Sequence, residues 1–207
     1  MTILHSTGSL YKRLITLNKE QINIDEIKEE ERIIELSKKD ISCFEALYNK
    51  YYESIFRYVH RQTDDEDETA DIVSRVFLNA IKALHKYENR GLPFGAWLFK
   101  IASNETNKFF RGQKNRLLSI ETSKLNLIME CDQLEEDEDR LRVVNQLVNQ
   151  LEDDEIKILE LKFFESKNFK EIAFVLNKKE SAVKMRMYRS LNKLKELFDA
   201  MSRNGMA

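Results

Sequence analysis

Residues 170–194 read KEIAFVLNKKESAVKMRMYRSLNKL. Their spacing predicts a short helix from Phe169 to Leu176, a break at Asn177-Lys178-Lys179, and a long helix from about Glu180 to Phe198. Ala173 is small where two helices must cross closely, Asn177 takes the left-handed turn conformation at little cost, and Val183 stands where it packs back onto the first helix. These are helix-turn-helix offsets, the geometry that lays a second helix in a DNA major groove. On a helical wheel, Met187, Leu191, Leu194 and Phe198 fall within about 20° to 80° of Val183 and form a core face. Ser181, Met185, Tyr188, Arg189 and Asn192 lie opposite, flanked by Lys184, Arg186 and Lys193. Arg189 can donate two hydrogen bonds to a guanine edge while the flanking cations reach phosphates. A charged outer face is also what solubility alone asks of any amphipathic helix.

Upstream, Leu141, Val144, Leu147, Val148 and Leu151 mark one helix, and Ile156, Leu159 and Phe163 the next, so a second unit runs over residues 140–200. The first unit covers residues 25–116. A helix over 25–38 has Ile27, Ile33, Ile34 and Leu36 on its apolar side. Ser42-x-x-Glu45 has the capping-box pattern and opens a helix to about Arg61, with Phe44, Leu47, Tyr48, Tyr51, Ile55, Tyr58 and Val59 inside. The acidic run 64–68 suits the N-terminus of a third helix, whose stripe is Ile72, Val73, Val76, Phe77, Ala80, Ile81 and Leu84. A loop over 86–93 precedes a helix to about Phe110. In that helix Phe94 and Trp97, spaced with Leu98 and Ile101, read as core rather than as platforms for stacking bases. Residues 117–139 form an acidic linker without sustained period, and 1–24 an extension that is either a disordered start or a dock for a further protein. The fold class is all-α: two small helical domains joined by a flexible linker, the C-terminal one a helix-turn-helix.

Composition agrees. Five Gly and one Pro in 207 residues are too few breakers for a many-stranded β fold. No window approaches the apolar length of a membrane span, which argues against membrane insertion, and no export signal is visible. Two distant cysteines, Cys43 and Cys131, fit a reduced cytoplasmic protein without a disulfide framework or zinc pattern. The overall charge of −2 conceals blocks: residues 1–74 carry net −6, 75–116 net +7, 117–160 net −9 and 161–207 net +6. Two basic blocks separated by an acidic one suggest two contacts with a polyanion, or else solvated helix faces of uneven charge.

No catalytic constellation is present. His5, His60 and His85 have no metal-ligand spacing, Gly91-x-x-x-Gly95 lacks the Lys of a phosphate loop, and the acidic run 64–68 lacks the Gly-punctuated calcium pattern. No enzyme activity, cofactor or metal is expected.

The two units together resemble the extracytoplasmic-function sigma factors, promoter-specificity subunits of bacterial RNA polymerase. FEALYNKYYESIFRYV (44–59), ADIVSRVFLNAIKAL (70–84) and PFGAWLFKIASNETNKFFR (93–111) are similar to region two. The stretch 147–194 is similar to region four. Departures from the family pattern are Leu151-Glu152 for Leu-Pro, Ser74-Arg75 for Gln-Glu, Ala182-Val183 for Thr-Val, and Met185 at a position often small or polar.

The resemblance implies core RNA polymerase, through the clamp helices of its largest subunit and its flap, and promoter DNA as partners, with an anti-sigma factor or a recruiting protein as a further candidate. It implies that Asp71, Ser74, Arg75 and Asn79 dock on the clamp. It places Asn89, Arg90 and Asn104 at base edges of the −10 element and Lys100, Lys108, Arg111 and Lys114 on its backbone. It sets Ser181, Lys184, Met185, Arg186, Tyr188, Arg189 and Lys193 at the −35 element. The acidic linker either repels nucleic acid inside the polymerase or is a solvated tether. Rival readings are a stand-alone helix-turn-helix transcriptional regulator, with residues 1–116 for dimerisation or sensing, and an adaptor that binds polymerase without DNA.

Overall fold

The computed structural model describes residues 24–63, 65–112 and 150–203, and every regular element among them is helical. We number the helices α1 (Ile24–Lys39), α2 (Glu45–Thr63), α3 (Glu66–Ala83), α4 (Phe94–Gly112), α5 (Asp153–Phe163), α6 (Phe169–Val175) and α7 (Glu180–Arg203). Short 3₁₀ turns, Ile41–Phe44 and Leu84–Lys86, precede α2 and follow α3. The expected helix over 141–148, the linker 117–139 and the extension 1–23 lie outside the described residues, as does Lys114.

The first module is α2, α3 and α4 packed on one another, with α1 laid across the turn before α2 and the start of α4. Its core is Leu47, Ile55, Tyr58, Val59, Ile72, Val76, Phe94, Leu98 and Phe99, all under 2% exposed. Two expectations need correction. Ser42 does not form a capping box; Asp40 accepts the Ser42 N–H at 2.9 Å and starts a 3₁₀ turn, which sets α2 back to Glu45. Leu36 stands 40% exposed, because α1 turns Glu30, Ile34 and Ser37 inward instead, and Tyr48 on α2 stands 39% exposed. The acidic run behaves as read: Asp65 caps α3 by accepting from Glu68 N–H at 2.8 Å, with three acids in the first turn.

Glu30 is the unexpected member of this core. It is buried, accepts the Phe94 N–H at 2.8 Å, and also takes Lys50 at 2.7 Å and the Tyr51 hydroxyl. A helix start has N–H groups without intrahelical partners, and here a buried carboxylate from α1 satisfies one. Burial and the Glu30 charge together push the Tyr51 hydroxyl far above its ordinary range. Gly95 completes the joint, since a Cβ there would stand 2.5 Å from the Tyr51 ring.

In the second module α5, α6 and α7 pack around Ile158, Leu161, Ile172 and Val183. The first two of these helices end in the left-handed conformation without glycine. Ser166 has φ 50° and Asn177 φ 53°. Lys167 N–H reaches Leu161 C=O, and Lys178 N–H reaches Ala173 C=O, each at 2.9 Å. The second is a Schellman closure; the first is one residue wider, and both turn the chain sharply. Asn168 and Glu171 cap α6 reciprocally.

The two modules touch. Helix α4 lies against α6. Below that contact, Arg61 of α2 pairs with Glu160 at 3.0 Å and with Glu165, all three side chains being 4% exposed or less.

Candidate nucleic-acid interface

The turn at Asn177 aims α7 away from α6. Its inward residues are Val183, Met187 and Ser190, and its outward ones are Ser181, Lys184, Met185, Tyr188, Arg189 and Lys193, all exposed. Met185 and Tyr188 reach 54% and 55% exposure, unusual for large apolar side chains and suited to contact with another surface. Arg189 carries no ion pair among the described residues. Its neighbours differ. Lys184 pairs with Glu180 at 2.6 Å, and Lys193 donates to the Gln150 carbonyl. Arg186, half-buried, pairs with Asp154 at 2.7 Å and Glu152 at 3.6 Å. Asp154 also holds Lys178 at 2.7 Å. Burial raises the Asp154 carboxyl, but the hydrogen bond and charge of Lys178, joined by Arg186, outweigh it and hold the group below its usual value. So the sequence-predicted set divides: Ser181, Met185, Tyr188 and Arg189 face outward, whereas Arg186 helps fasten α7 to the start of α5.

The residues predicted for the other DNA contact surround the α3–α4 loop. Gly91 has φ +66°, and Asn89 Oδ1 accepts its N–H at 2.8 Å, so Asn89 shapes the loop with one side of its amide. Phe94 is buried and Trp97 half-buried, packed edge-on against Tyr87 at 4.9 Å; both act as core, as the sequence spacing indicates. Burial raises the Tyr87 hydroxyl to about 12, with Glu30 and Glu31 adding to the effect. Asn104, Lys108 and Arg111 are exposed along α4, Lys108 with Glu105 at 3.3 Å. Lys100 is half-buried, its ammonium 4.5 Å from the Phe174 ring of α6, and Arg90 sits 5.9 Å from the same ring.

On the far side of the module, Asp71, Ser74 and Arg75 are exposed on α3 and Asn79 half-buried. Beside them an apolar patch goes beyond the sequence reading. Leu78 is 49% exposed, and Tyr52 lies 6.3 Å from Phe77 and 5.2 Å from Tyr48. The signal for it is the four-residue spacing of Tyr48, Tyr52, Phe56 and His60, which builds a stripe of rings along α2 beside the buried one.

The family profile Sigma-70 region 2 matches residues 47–116, and that of Sigma-70, region 4 matches residues 141–194. The chain is 26% identical over 162 residues to the ECF RNA polymerase sigma factor BldN of Streptomyces coelicolor, covering 76% of this chain and 61% of that one. It is 23% identical over 160 residues to the ECF RNA polymerase sigma factor SigX of Bacillus subtilis, covering 74% and 82%. The match thus spans less than two thirds of BldN and most of SigX. Among solved structures, CnrH in complex with the cytosolic domain of CnrY aligns with a TM-score of 0.57 at 21% identity, over 81% of this chain and 95% of that one. The sigma factor RpoE of Bartonella quintana, in complex with the anti-sigma factor NepR, aligns with a TM-score of 0.52 at 19% identity, over 75% and 96%. These likenesses show a shared helical fold.

Proposed function

This chain belongs to the extracytoplasmic-function sigma factors, and from that membership we propose that it binds core RNA polymerase and directs initiation at a defined set of promoters. Region 2 and region 4 follow each other on one chain, and that order is the observation that carries the reading. It speaks against the alternative of a stand-alone regulator with a separate dimerisation module, since residues 47–116 match the region 2 profile.

On this reading the outward face of α7 reads the −35 element. Arg189 makes the base contact, Met185 and Tyr188 supply apolar contact, and Ser181, Lys184, Arg186 and Lys193 flank it. Asn89, Arg90 and Asn104 read the opened −10 strand, with Lys100, Lys108, Arg111 and Lys114 on its phosphates. Asp71, Ser74, Arg75 and Asn79, with the Leu78 and Tyr52 patch, form the surface for the polymerase clamp. Region 4 meets the polymerase flap. The chain contributes binding energy and leaves catalysis to the polymerase, which places its work in the cytoplasm. No described helix is long and apolar enough to cross a membrane. An anti-sigma factor is a further partner, by analogy with RpoE and NepR.

Run-off transcription with purified core polymerase and a genomic promoter library tests the proposal. The expected result is initiation at a limited set of sites sharing −10 and −35 motifs, dependent on this chain. Tight duplex binding by the free chain, with no polymerase-dependent initiation, would overturn it.

A further inference from the structure

The loop between α3 and α4 carries Asn89 and Arg90, and both of its ends are held by α1, a helix that supplies none of the proposed DNA or polymerase contacts. At the first end Lys38 of α1 donates to the Tyr87 carbonyl at 3.4 Å. At the second, Glu30 of α1 accepts the Phe94 N–H at 2.8 Å. The ends also meet each other, the Tyr87 and Phe94 rings lying edge to face at 5.2 Å. Between them Glu88, Asn89, Arg90 and Gly91 are exposed, whereas Leu92 is buried and anchors the return. The loop is an exposed tip on a fixed base. Glu30 is fixed in turn. Its Oε1 takes the Lys50 ammonium at 2.7 Å and the Tyr51 hydroxyl, and its Oε2 takes the Phe94 N–H. One buried carboxylate thus ties α1, α2 and α4 at a single point through charge-assisted hydrogen bonds, the strong and directional kind.

We propose that α1 positions the −10 loop: Glu30, with Lys38, fixes the base of the loop so that Asn89 and Arg90 meet the opened strand in one geometry. The inference rests on the sigma-factor reading and deepens it, by naming positioning residues that touch no DNA. A single strand brings no duplex geometry to orient it, so discrimination among its bases depends on donors and acceptors held in fixed places. Asn89 Oδ1 accepts the Gly91 N–H at 2.8 Å, which sets its amide relative to the loop. The loop in turn is set by its two ends, and a shift of either swings that amide off its target. A carboxylate suits the place of Glu30 because its two oxygens accept from three donors at once. A glutamine has one acceptor oxygen, so its NH₂ would face either the Phe94 N–H or the Lys50 and Tyr51 donors. Glu30→Gln therefore loosens one end of the loop while changing no exposed side chain.

The test measures discrimination on single strands, with holoenzyme reconstituted from core polymerase and the full chain. The probes are two fluorescent oligonucleotides, one carrying the non-template −10 sequence found by run-off transcription and one with that sequence scrambled. Glu30→Gln should bind core polymerase as the wild type does and lower the ratio of the two affinities about tenfold, the worth of one good base contact. Lys38→Met keeps the side-chain stem, loses the bond to Tyr87, and should lower the ratio by a smaller factor. Glu29→Gln, at an exposed position of α1 paired with Arg32, should keep it. A smaller folded fraction reduces the amount of active holoenzyme and leaves the ratio where it was, so the ratio separates positioning from stability. An unchanged ratio in Glu30→Gln overturns the proposal and leaves the sigma-factor reading standing. Should that variant fail to assemble with polymerase, an unchanged ratio in Lys38→Met overturns it in the same way. An equal fall in Glu29→Gln does so too. A wild-type holoenzyme that does not distinguish the two strands removes the −10 reading of this loop and the proposal with it.

Discussion

Two ion clusters in this molecule invert each other. Between the modules, one cation, Arg61, serves two carboxylates, Glu160 and Glu165, at 4% side-chain exposure or less. Within the second module, one carboxylate, Asp154, serves two cations, Lys178 and Arg186, with side chains 32% to 43% exposed. Charge count is the smaller difference, since water screens the second cluster and leaves the first to its own partners. Removing the shared ion should therefore cost very different amounts. Arg61→Met leaves two carboxylates buried without their cation, and breaking a buried pair in this way costs about 3–5 kcal/mol. We expect fluorescence energy transfer between dyes on the two modules to collapse in this variant. It should recover when Glu160→Met and Glu165→Met are added, because a neutral apolar joint no longer asks for a cation. Unchanged transfer in Arg61→Met would show that the triad does not hold the joint.

Acidity probes the same cluster without mutation. Burial raises the Glu160 carboxyl to about 7 in spite of Arg61, with Glu165 adding to the rise and Lys157 opposing it; Tyr58 of α2 also faces the group. Once the modules part, the exposed carboxyl returns towards its ordinary 4.5. The docked form therefore holds the proton more tightly. Its advantage is fully present below about pH 4.5 and is lost as pH rises through about 7, over a range worth up to about 3 kcal/mol. Energy transfer between the modules should rise as pH falls from 8 to 5, and Glu160→Gln should flatten that profile. A profile rising in the opposite direction would rule out a protonated Glu160 in the joint.

The two clusters also differ in how far the sequence discloses them. The face of α7 is legible because a 3.6-residue period separates Val183 and Met187 from Tyr188 and Arg189, and everything needed lies within one helix. Asn177 is legible because few residues tolerate a positive φ; Ser166, which does the same, carries no such sign. Arg61 reads as an ordinary basic residue in the last turn of α2, where a cation is favoured anyway. Glu30 reads as one acid among several, although it holds the Phe94 N–H across 64 positions. Such groups take their meaning from a distant partner. The one local hint is a charge inside an apolar run, as in Ile158-Leu159-Glu160-Leu161. Leu36 and Tyr48 mislead for the opposite reason, being apolar side chains on the edge of a stripe: each stays partly exposed, Tyr48 with its ring 4.6 Å from Phe77 of α3.

Arg189 lies outside both clusters, exposed on α7. Arg189→Ala should leave folding unchanged and weaken specific promoter binding by about 1–3 kcal/mol, the value of one good bidentate base contact. The loss should concentrate on one base pair of the −35 element, read out by competition between single-substitution promoters in the presence of core polymerase. A uniform loss across all sequences would make Arg189 a phosphate contact instead.

Asp154→Asn should have a small effect on stability and an informative effect on binding. The carboxyl lies below its ordinary value, so its stabilising contribution is present above about pH 4 and is lost as pH falls through the lowered value. With the pair partly exposed, that contribution is at most about 1 kcal/mol. The substitution also frees Lys178 at the turn and leaves Arg186 of α7 with only its longer pair to Glu152 at 3.6 Å. If Asp154 restrains them, the variant binds unrelated DNA more tightly and its affinity falls more steeply with salt, since each cation that gains a phosphate releases a counterion. If Arg186 already leaves Asp154 for DNA in the native complex, affinity and salt slope stay as they are. Measuring the slope for Asp154→Asn and for Arg186→Ala separates the two cases: in the first, Arg186→Ala leaves the wild-type slope unchanged; in the second, it lowers it by about one.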